Sequence, residues 1–192
     1  VDPNGSIHLP TKLLMWVPAR NEIVGATTDG TGLVFGLDPA NLRLRWQVET
    51  GEAAQFLSAT TDGDFVWVVS ESGQAMRVNL ETRQVDAPFR LFEQTGLVQS
   101  ITAAPGETNV LLAVIDPGGV GQPRVQAFGD GAAWPEIIPG ARWVFTTTEG
   151  RIFVSGWNLL REVELLAEGL AEVSNYDHLA PDYPYEAFGM GN

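Results

Sequence analysis

The sequence contains no cysteine, and this absence excludes several kinds of chemistry. Without thiols the chain has no disulfide framework, no thiolate nucleophile and no cysteine-ligated zinc or iron–sulfur site. Histidine is also scarce, since only His8 and His178 occur, near opposite ends of the sequence. A metal site shared by these two would need a carboxylate beside them, whereas exposed loop histidines are the commoner arrangement. We therefore expect no resident metal.

Basic side chains are few, with 11 Lys and Arg against 24 Asp and Glu and a formal net charge of −13. A negative field of this size repels phosphate backbones and anionic lipid headgroups, so nucleic acid is not expected as a partner.

Long hydrophobic runs are missing as well. The run at 110–115 is far shorter than the roughly 18 residues needed to cross a bilayer, so no membrane span is expected.

The common catalytic motifs are absent too. The chain has no Gly-x-Ser-x-Gly elbow and no glycine-rich phosphate loop leading into a helix. Glu162 and Glu164 are spaced to share one face of a strand, where paired carboxylates serve acid–base or cation chemistry, but such pairs are also typical of a solvated edge. We predict no catalytic, cofactor-binding or metal residues, and a non-enzymatic role is favoured over an enzyme.

What the sequence does contain is glycine (21) and proline (12), spread between short apolar runs as in a turn-rich β protein. Turn-forming segments recur about every 43 residues, at 18–21, 61–64, 104–107 and 148–151, and a β-prone apolar run follows each. This spacing predicts four tandem units of four short strands, at about 13–54, 55–97, 98–140 and 141–175. They follow a lead-in segment at 1–12.

The strand pattern is clearest in the first two units. Strands are predicted at 13–17, 22–27, 32–37 and 42–48, and then at 56–60, 64–70, 74–80 and 84–91. Trp16, Trp67 and Trp143 lie inside apolar strands, and we expect them to be buried between neighbouring units.

The segments DFVWVV (64–69), GQAMRVNLET (73–82) and DGTGLVFGLDP (29–39) resemble the bacterial β-propeller repeats of the YVTN, NHL and PQQ-like groups. The resemblance covers residues 13 to about 175. It implies an all-β fold, a β-propeller of about four blades with four antiparallel strands each. Both a closed four-bladed ring and part of a larger propeller fit this length. The Gly-His and Trp-Asp signatures of WD repeats are missing.

Aromatic residues outside the regular strands are the candidate partner-binding residues. Trp134 and Trp157 stand in turn-rich stretches, and the segment 176–192 departs from the repeat while carrying Tyr176, Tyr183, Tyr185 and Phe188 among prolines. Such a tail is too aromatic for a solvated linker and too proline-broken for a central strand. We expect it to dock either on the first blade or on a neighbouring chain.

These observations favour a non-enzymatic protein-binding or scaffold module built on a β-propeller. One alternative is a structural subunit of a larger particle such as a phage tail or neck protein, and another is part of a propeller enzyme of the lyase, lactonase or quinoprotein type. The expected partner is a protein or a second propeller half, and an oligomer is compatible with either.

The chain starts without Met, which suggests a processed product or a piece of a longer protein. We expect an exported setting, periplasmic or extracellular.

The repeat predicts that Trp67→Ala is among the most damaging single substitutions. Removing a large, fully packed aromatic costs about 3–5 kcal/mol, whereas Trp157→Ala should cost much less because Trp157 stands in a turn. Urea unfolding of the two variants measures both free energies. The opposite order of stability would show that the core of the repeat has been misplaced.

Overall fold

A computed structural model of the chain describes residues 11–92, 96–119, 121–129, 132–134, 138–166 and 169–177. The chain divides into two compact units, Val1–Phe89 and Arg90–Asn192, and each unit contains two antiparallel sheets. Within the part of the chain that the structure describes, no helix has the length and hydropathy that a membrane crossing requires.

The first unit contains sheets A and B, whose strands pair in chain order. Sheet A consists of β1 (Thr11–Val17), β2 (Glu22–Thr27), β3 (Leu33–Leu37) and β4 (Leu44–Glu49). Sheet B consists of β5 (Ala54–Ala59), β6 (Phe65–Ser70), β7 (Gln74–Asn79) and β8 (Phe89–Arg90).

The second unit contains sheets C and D. Sheet C consists of β9 (Leu97–Ala103), β10 (Val110–Asp116) and β11 (Arg124–Gly129), with the short strands β12 (Ala132–Ala133) and β13 (Ile138–Pro139) both paired to β11. Sheet D consists of β14 (Ala141–Thr146), β15 (Ile152–Gly156), β16 (Leu159–Leu166) and β17 (Gly169–Asn175), again in chain order.

The predicted repeat of four-stranded units is confirmed. The first strands of the four sheets begin at Thr11, Ala54, Leu97 and Ala141, a period of 43 or 44 residues. The turn that follows each first strand needs a left-handed residue. In sheet A this residue is Asn21, at φ 47°, and in sheets B, C and D it is the glycine at 63, 106 and 150 respectively. Because glycine and asparagine adopt this conformation at little cost, these turns mark the repeat in the sequence.

The strand predicted at 84–91 forms only in part. β8 contains two residues, and Val85 adds a single bridge to Val78. Beyond the turn at Arg83, which has φ 63°, backbone hydrogen bonds to β7 run from Asn79 N–H to the Gln84 carbonyl and from Asp86 N–H to the Arg77 carbonyl, but Pro88 has no N–H to donate to a ladder. The alternation of apolar residues predicted the region correctly but overestimated how much of it pairs.

The core of the first unit lies between sheets A and B. Val17, Val24 and Val34 of sheet A are at most 1% exposed and belong to one apolar cluster with residues of sheet B. The sheet B members of this cluster are Ala54, Val66, Val68, Met76, Val78 and Leu80. Since all of these side chains lose nearly all contact with water, their burial is the main stabilising term of the unit.

A polar arrangement is enclosed beside this core. Glu22 is 3% exposed, and its Oε1 accepts a hydrogen bond from Trp46 Nε1 at 2.7 Å. The Arg83 guanidinium lies 4.2 Å from the centroid of the Trp46 ring, and burial lowers the pKa of Arg83 while the nearby Glu22 charge opposes that shift. Gly36 leaves the space that the Trp46 indole occupies. The buried carboxylate is therefore held by a hydrogen bond and faced by a cation, as a buried charge requires.

The core of the second unit lies between sheets C and D. Leu112, Val114 and Val125 of sheet C form one apolar cluster with Val144 and Val154 of sheet D. Hydroxyls join the same two sheets, because Ser100 Oγ donates to the carbonyl of Val144 at 3.1 Å and accepts from its N–H at 3.2 Å. The Thr102 and Thr146 hydroxyls are 3.0 Å apart. Apolar burial and hydrogen bonding thus act on the same sheet-to-sheet contact.

The three tryptophans expected in the core behave differently. Trp67 is 4% exposed, as predicted, and Trp143 is half-buried. The prediction for Trp16 is wrong, because its side chain is 47% exposed. In β1 the residues that pack toward sheet B are Leu13 and Met15 with the buried Val17, so the period of two places Trp16 on the opposite face.

Gly36→Ala should destabilise the protein. A methyl group at this position would collide with the Trp46 indole, and displacing the indole would leave the Glu22 carboxylate buried without its hydrogen bond. Overpacking and the loss of this bond together should lower the free energy of unfolding by about 2 kcal/mol or more. Urea unfolding measures it, with Gln47→Ala, an exposed change on the neighbouring strand, as the control. Equal stability of the two variants would contradict the role assigned to Trp46.

Candidate protein-binding surfaces

One hollow in the described part of the first unit is shallow and open to solvent. Its volume is about 490 Å³, and it is lined by loop residues Gly30, Gly51, Glu52, Ala53, Ser70, Glu71 and Ser72. Ser72 Oγ donates to Glu52 Oε2 at 2.6 Å and lies 2.9 Å from Ser70 Oγ. A serine nucleophile is typically activated by a neighbouring histidine or amine, whereas these hydroxyls contact each other and a carboxylate. Among the described residues, no group of three or more His, Asp or Glu side chains is placed to hold a metal ion.

Trp157 lies at an exposed end of the second unit. It begins the turn between β15 and β16, which Asn158 completes at φ 49°, and its side chain is 50% exposed. The Arg142 guanidinium, near the start of β14, lies 5.2 Å from the Trp157 ring centroid. The antiparallel order places this turn at the same end of sheet D as the start of β14. We call Arg142, Trp157 and Asn158 the Trp157 end.

Trp134, the second tryptophan expected to be available to a partner, lies half-buried against the core of the second unit. Its indole occupies the space above Gly129, where a Cβ would meet the ring. Its carbonyl accepts a hydrogen bond from Gln126 Nε2 at 3.0 Å. The side chain therefore contributes to packing on sheet C.

Tyr176 joins an aromatic group on the face of sheet D that points away from sheet C. Phe145 and Phe153 stack there with centroids 5.6 Å apart and rings 14° from parallel. The Tyr176 ring lies 6.5 Å from Phe153, and its hydroxyl donates to Glu162 at 3.4 Å. The other tail aromatics named above, Tyr183, Tyr185 and Phe188, lie outside the described residues, as do His8 and His178.

Arg151 completes this group. Its Nε and Nη2 donate to the two carboxylate oxygens of Glu162 at 2.6 and 2.5 Å, and its guanidinium lies 4.9 Å from the centroid of Phe153. The hydrogen bonds from Arg151 lower the pKa of Glu162, and the same bonds raise the pKa of Arg151. Of the two carboxylates considered as a catalytic pair, Glu162 is thus held in an ion pair while Glu164 is exposed. The arrangement fits a structural role for Glu162.

Asp177 attaches the start of the tail to sheet D. Its carboxylate accepts from the N–H of Leu160 at 2.9 Å and from Arg161 Nη2 at 3.1 Å. Burial alone would raise the pKa of Asp177, but these bonds to the charged form outweigh burial and the pKa is lowered. Tyr176 adds a backbone bond, from its N–H to the carbonyl of Leu160 at 2.8 Å.

Sheet A carries an exposed apolar face that the sequence reasoning missed. Leu14 is 61% exposed and Trp16 47%, and in register with Trp16 lie the half-buried Ile23 and Leu37. The signal was present in the sequence, because all five residues of 13–17 are apolar. A strand that is apolar on both faces is typical of a sheet covered on both sides.

Comparison with solved structures identifies the fold. The chain matches the structure of U3-55K and the crystal structure of RRP9 WD40 repeats, each with a TM-score of 0.63, 12% sequence identity and 87% of this chain covered. It also matches the β-propeller domain of Myceliophteria thermophila Cps50 (Swd1), with a TM-score of 0.67, 9% identity and 91% of this chain covered. The chain has a β-propeller fold.

The match spans about half the length of these structures, 52% of the first two and 57% of the third. No protein-family model matches the sequence, and no curated protein matches it. At this level of identity the comparisons establish architecture, so the predicted fold class is confirmed at the level of a β-propeller. The comparisons do not identify the type of propeller repeat, so the resemblance to the YVTN, NHL and PQQ-like groups stays a prediction.

The Arg151–Glu162 pair predicts a pH-dependent contribution to stability. Because the folded-state pKa of Glu162 is lowered, its contribution is present above the unfolded value near 4.5 and is lost as the pH falls through the folded value. Glu162→Gln should therefore be less stable than the wild type at pH 7, and the difference should shrink below about pH 4.5. Urea unfolding at pH 7 and pH 3.5 checks this. A difference that stays constant at both pH values would rule out the ion pair as its source.

Proposed function

We propose that this protein is a non-enzymatic scaffold that binds another protein through the Trp157 end. The observation that carries the proposal is the exposed Trp157 indole with the Arg142 guanidinium over its ring. Tryptophan and arginine are the residue types most enriched among those that dominate binding energy at protein interfaces. A half-exposed tryptophan keeps about half of its large surface available for burial by a partner.

The cation–π contact bears on affinity because it restricts both side chains before binding. A guanidinium placed over an indole limits the rotamers of each, so less conformational entropy is lost when a partner covers them. The turn itself is held between β15 and β16, which pair over five positions from Ile152 to Gly156. The Trp157 end is thus presented by a rigid element.

The net charge bears on the kind of partner. A protein with a formal charge of −13 attracts a partner with a basic contact surface and speeds their encounter at low salt. Arg142 supplies positive charge locally, so the partner's contact with Trp157 itself should be apolar or acidic and surrounded by basic groups.

Fold comparison supports a scaffold in a general way, since the matched structures include WD40 repeats, but the blades here lack the Gly-His and Trp-Asp signatures. We propose that they belong instead to the YVTN, NHL or PQQ-like kind, on the segments quoted above. A propeller fold hosts many functions, so the surface residues, and not the fold, support a binding role. The exported setting stays a prediction.

The test begins with a photoreactive amino acid at Asn158 in cells of the source organism, followed by identification of the crosslinked protein. Binding is then measured with the purified partner. We expect Trp157→Ala to weaken binding by at least tenfold, and Arg142→Ala to weaken it less, because truncating a central interface tryptophan costs about 2 kcal/mol or more.

The control is Leu42→Ala, which removes a side chain that is 61% exposed in a turn of the first unit. It should leave the affinity unchanged. Equal affinities for Leu42→Ala and Trp157→Ala would exclude the Trp157 end as the binding surface, and a crosslinked partner that binds all variants equally would do the same.

A further inference from the structure

The outer face of sheet A, which points away from sheet B, is apolar across all four strands. Two rows of residues in register cross it, one made of Leu14, Gly25, Phe35 and Gln47 and the other of Trp16, Ile23, Leu37 and Leu44. Neither row contains a charged residue, although the chain carries a formal net charge of −13. We call these two rows the sheet A face.

The sheet A face is only partly covered. Leu14 is 61% exposed and Trp16 47%, whereas Phe35 is 3% exposed. The Phe35 ring and the Leu14 side chain fill the space above Gly25, where a Cβ would meet both. Phe35 therefore forms the floor of the face, and Leu14 and Trp16 project from it. Large apolar side chains that are exposed side by side are typical of an interaction surface.

Charge is distributed unevenly between the two ends of sheet A. The end with the turns after β1 and β3 carries a net charge of +1, from Arg20, Arg43 and Arg45 against Glu22 and Asp38. The opposite end carries a net charge of −2, from Asp29, Glu49 and Glu52 against Lys12. Of these residues, Arg43 at the first end and Asp29 and Glu49 at the second are exposed. The uncharged face thus lies between a positive and a negative end.

We propose that the sheet A face binds the sheet A face of a second copy of this chain, about a two-fold axis that lies between the two sheets and runs across their strands. An axis that crosses β1 near Met15 places each row of one copy on the other row of its partner. Leu14 of one copy then contacts Trp16 of the other, and the reverse contact forms at the same time, as a two-fold contact requires. Sheets packed in this way keep their strands nearly aligned.

The second copy fits the sheet A face in charge as well as in polarity. Because the axis reverses the strand direction, the positive end of each copy meets the negative end of the other, at two places in the dimer. A copy turned so that its strands run parallel would bring like ends together. Complementary charge fixes the orientation of a contact. The rows between the ends carry no charge, so burying them leaves no charged group without water.

The size of the face matches the contacts that already stabilise the protein. Four strands spaced by about 4.8 Å, each with roughly five residues of 3.4 Å, give a face of about 19 by 17 Å. The contact between sheets A and B is made by sheets of the same size. Burying the exposed parts of Leu14 and Trp16 on both copies removes apolar area from water. A two-fold contact uses the face completely, so the assembly stops at a dimer.

The test is the mass of the purified chain by sedimentation velocity across a concentration series. We expect twice the chain mass of 20.8 kDa for the wild type at the higher concentrations. Leu14→Asp should give the single-chain mass, because each copy would bury a carboxylate against the partner's indole. The matched control is Leu97→Asp, since Leu97 is also 61% exposed but lies in the second unit, and it should stay dimeric. Unchanged circular dichroism shows that each variant is folded.

A mixing experiment tests the reciprocal contact between positions 14 and 16. Trp16→Lys should also give the single-chain mass. An equimolar mixture of Leu14→Asp and Trp16→Lys should recover dimer that neither forms alone, because a mixed dimer has one contact between Asp and Lys and one unaltered contact. Failure to recover dimer would overturn the two-fold arrangement.

The dimer is independent of the Trp157 end, which lies in sheet D, so Trp157→Ala should stay dimeric. Loss of the dimer in Leu97→Asp or Trp157→Ala would overturn the assignment to the sheet A face. A wild-type chain of single mass at every concentration would overturn it as well, and would indicate that another polypeptide or residues 1–10 cover this face.

Discussion

Face-to-face packing of successive four-stranded sheets is the interaction on which the rest of this structure depends. Each small sheet has too few residues to be stable alone, and it gains stability by burying an apolar face against its neighbour. In the first unit this contact joins Val24 and Val34 to Val66 and Met76, and in the second it joins Leu112 and Val125 to Val144 and Val154. The turns, the polar groups and the exposed surfaces are all placed by it.

The polar groups make this contact specific for one alignment of the two sheets. Apolar burial does not depend strongly on orientation, whereas a hydrogen bond forms only at one register. Ser100 bonds to both backbone groups of Val144 across two sheets, and Arg20 of the first unit forms an ion pair with Asp64 at 3.3 Å. Such contacts contribute modestly to the free energy of folding, but they favour one alignment of neighbouring sheets over its alternatives.

Repetition also explains where the surfaces for partners arise. A sheet that packs on its neighbour through one face can leave apolar side chains exposed on the other face, as Leu14 and Trp16 are in sheet A, and the turns between strands are free to vary because packing does not constrain them. The exposed apolar face of sheet A belongs to the first kind of surface and the Trp157 end to the second. An apolar sheet face suits a large, permanent contact, and a single turn with a tryptophan and an arginine suits a smaller one.

Local chemistry in the sequence determined the repeat, the strand order and the confirmed propeller architecture. Left-handed turn residues at 21, 63, 106 and 150 and apolar runs of period two act within a few residues, so they are readable without a structure. The exposure of Trp16 was decided by tertiary structure, because in a strand with apolar residues on both faces only the neighbouring sheet shows which face is covered. The neutralisation of Glu162 by Arg151 was decided in the same way, since the pairing of β15 with β16 brings together side chains that are 11 residues apart in the chain.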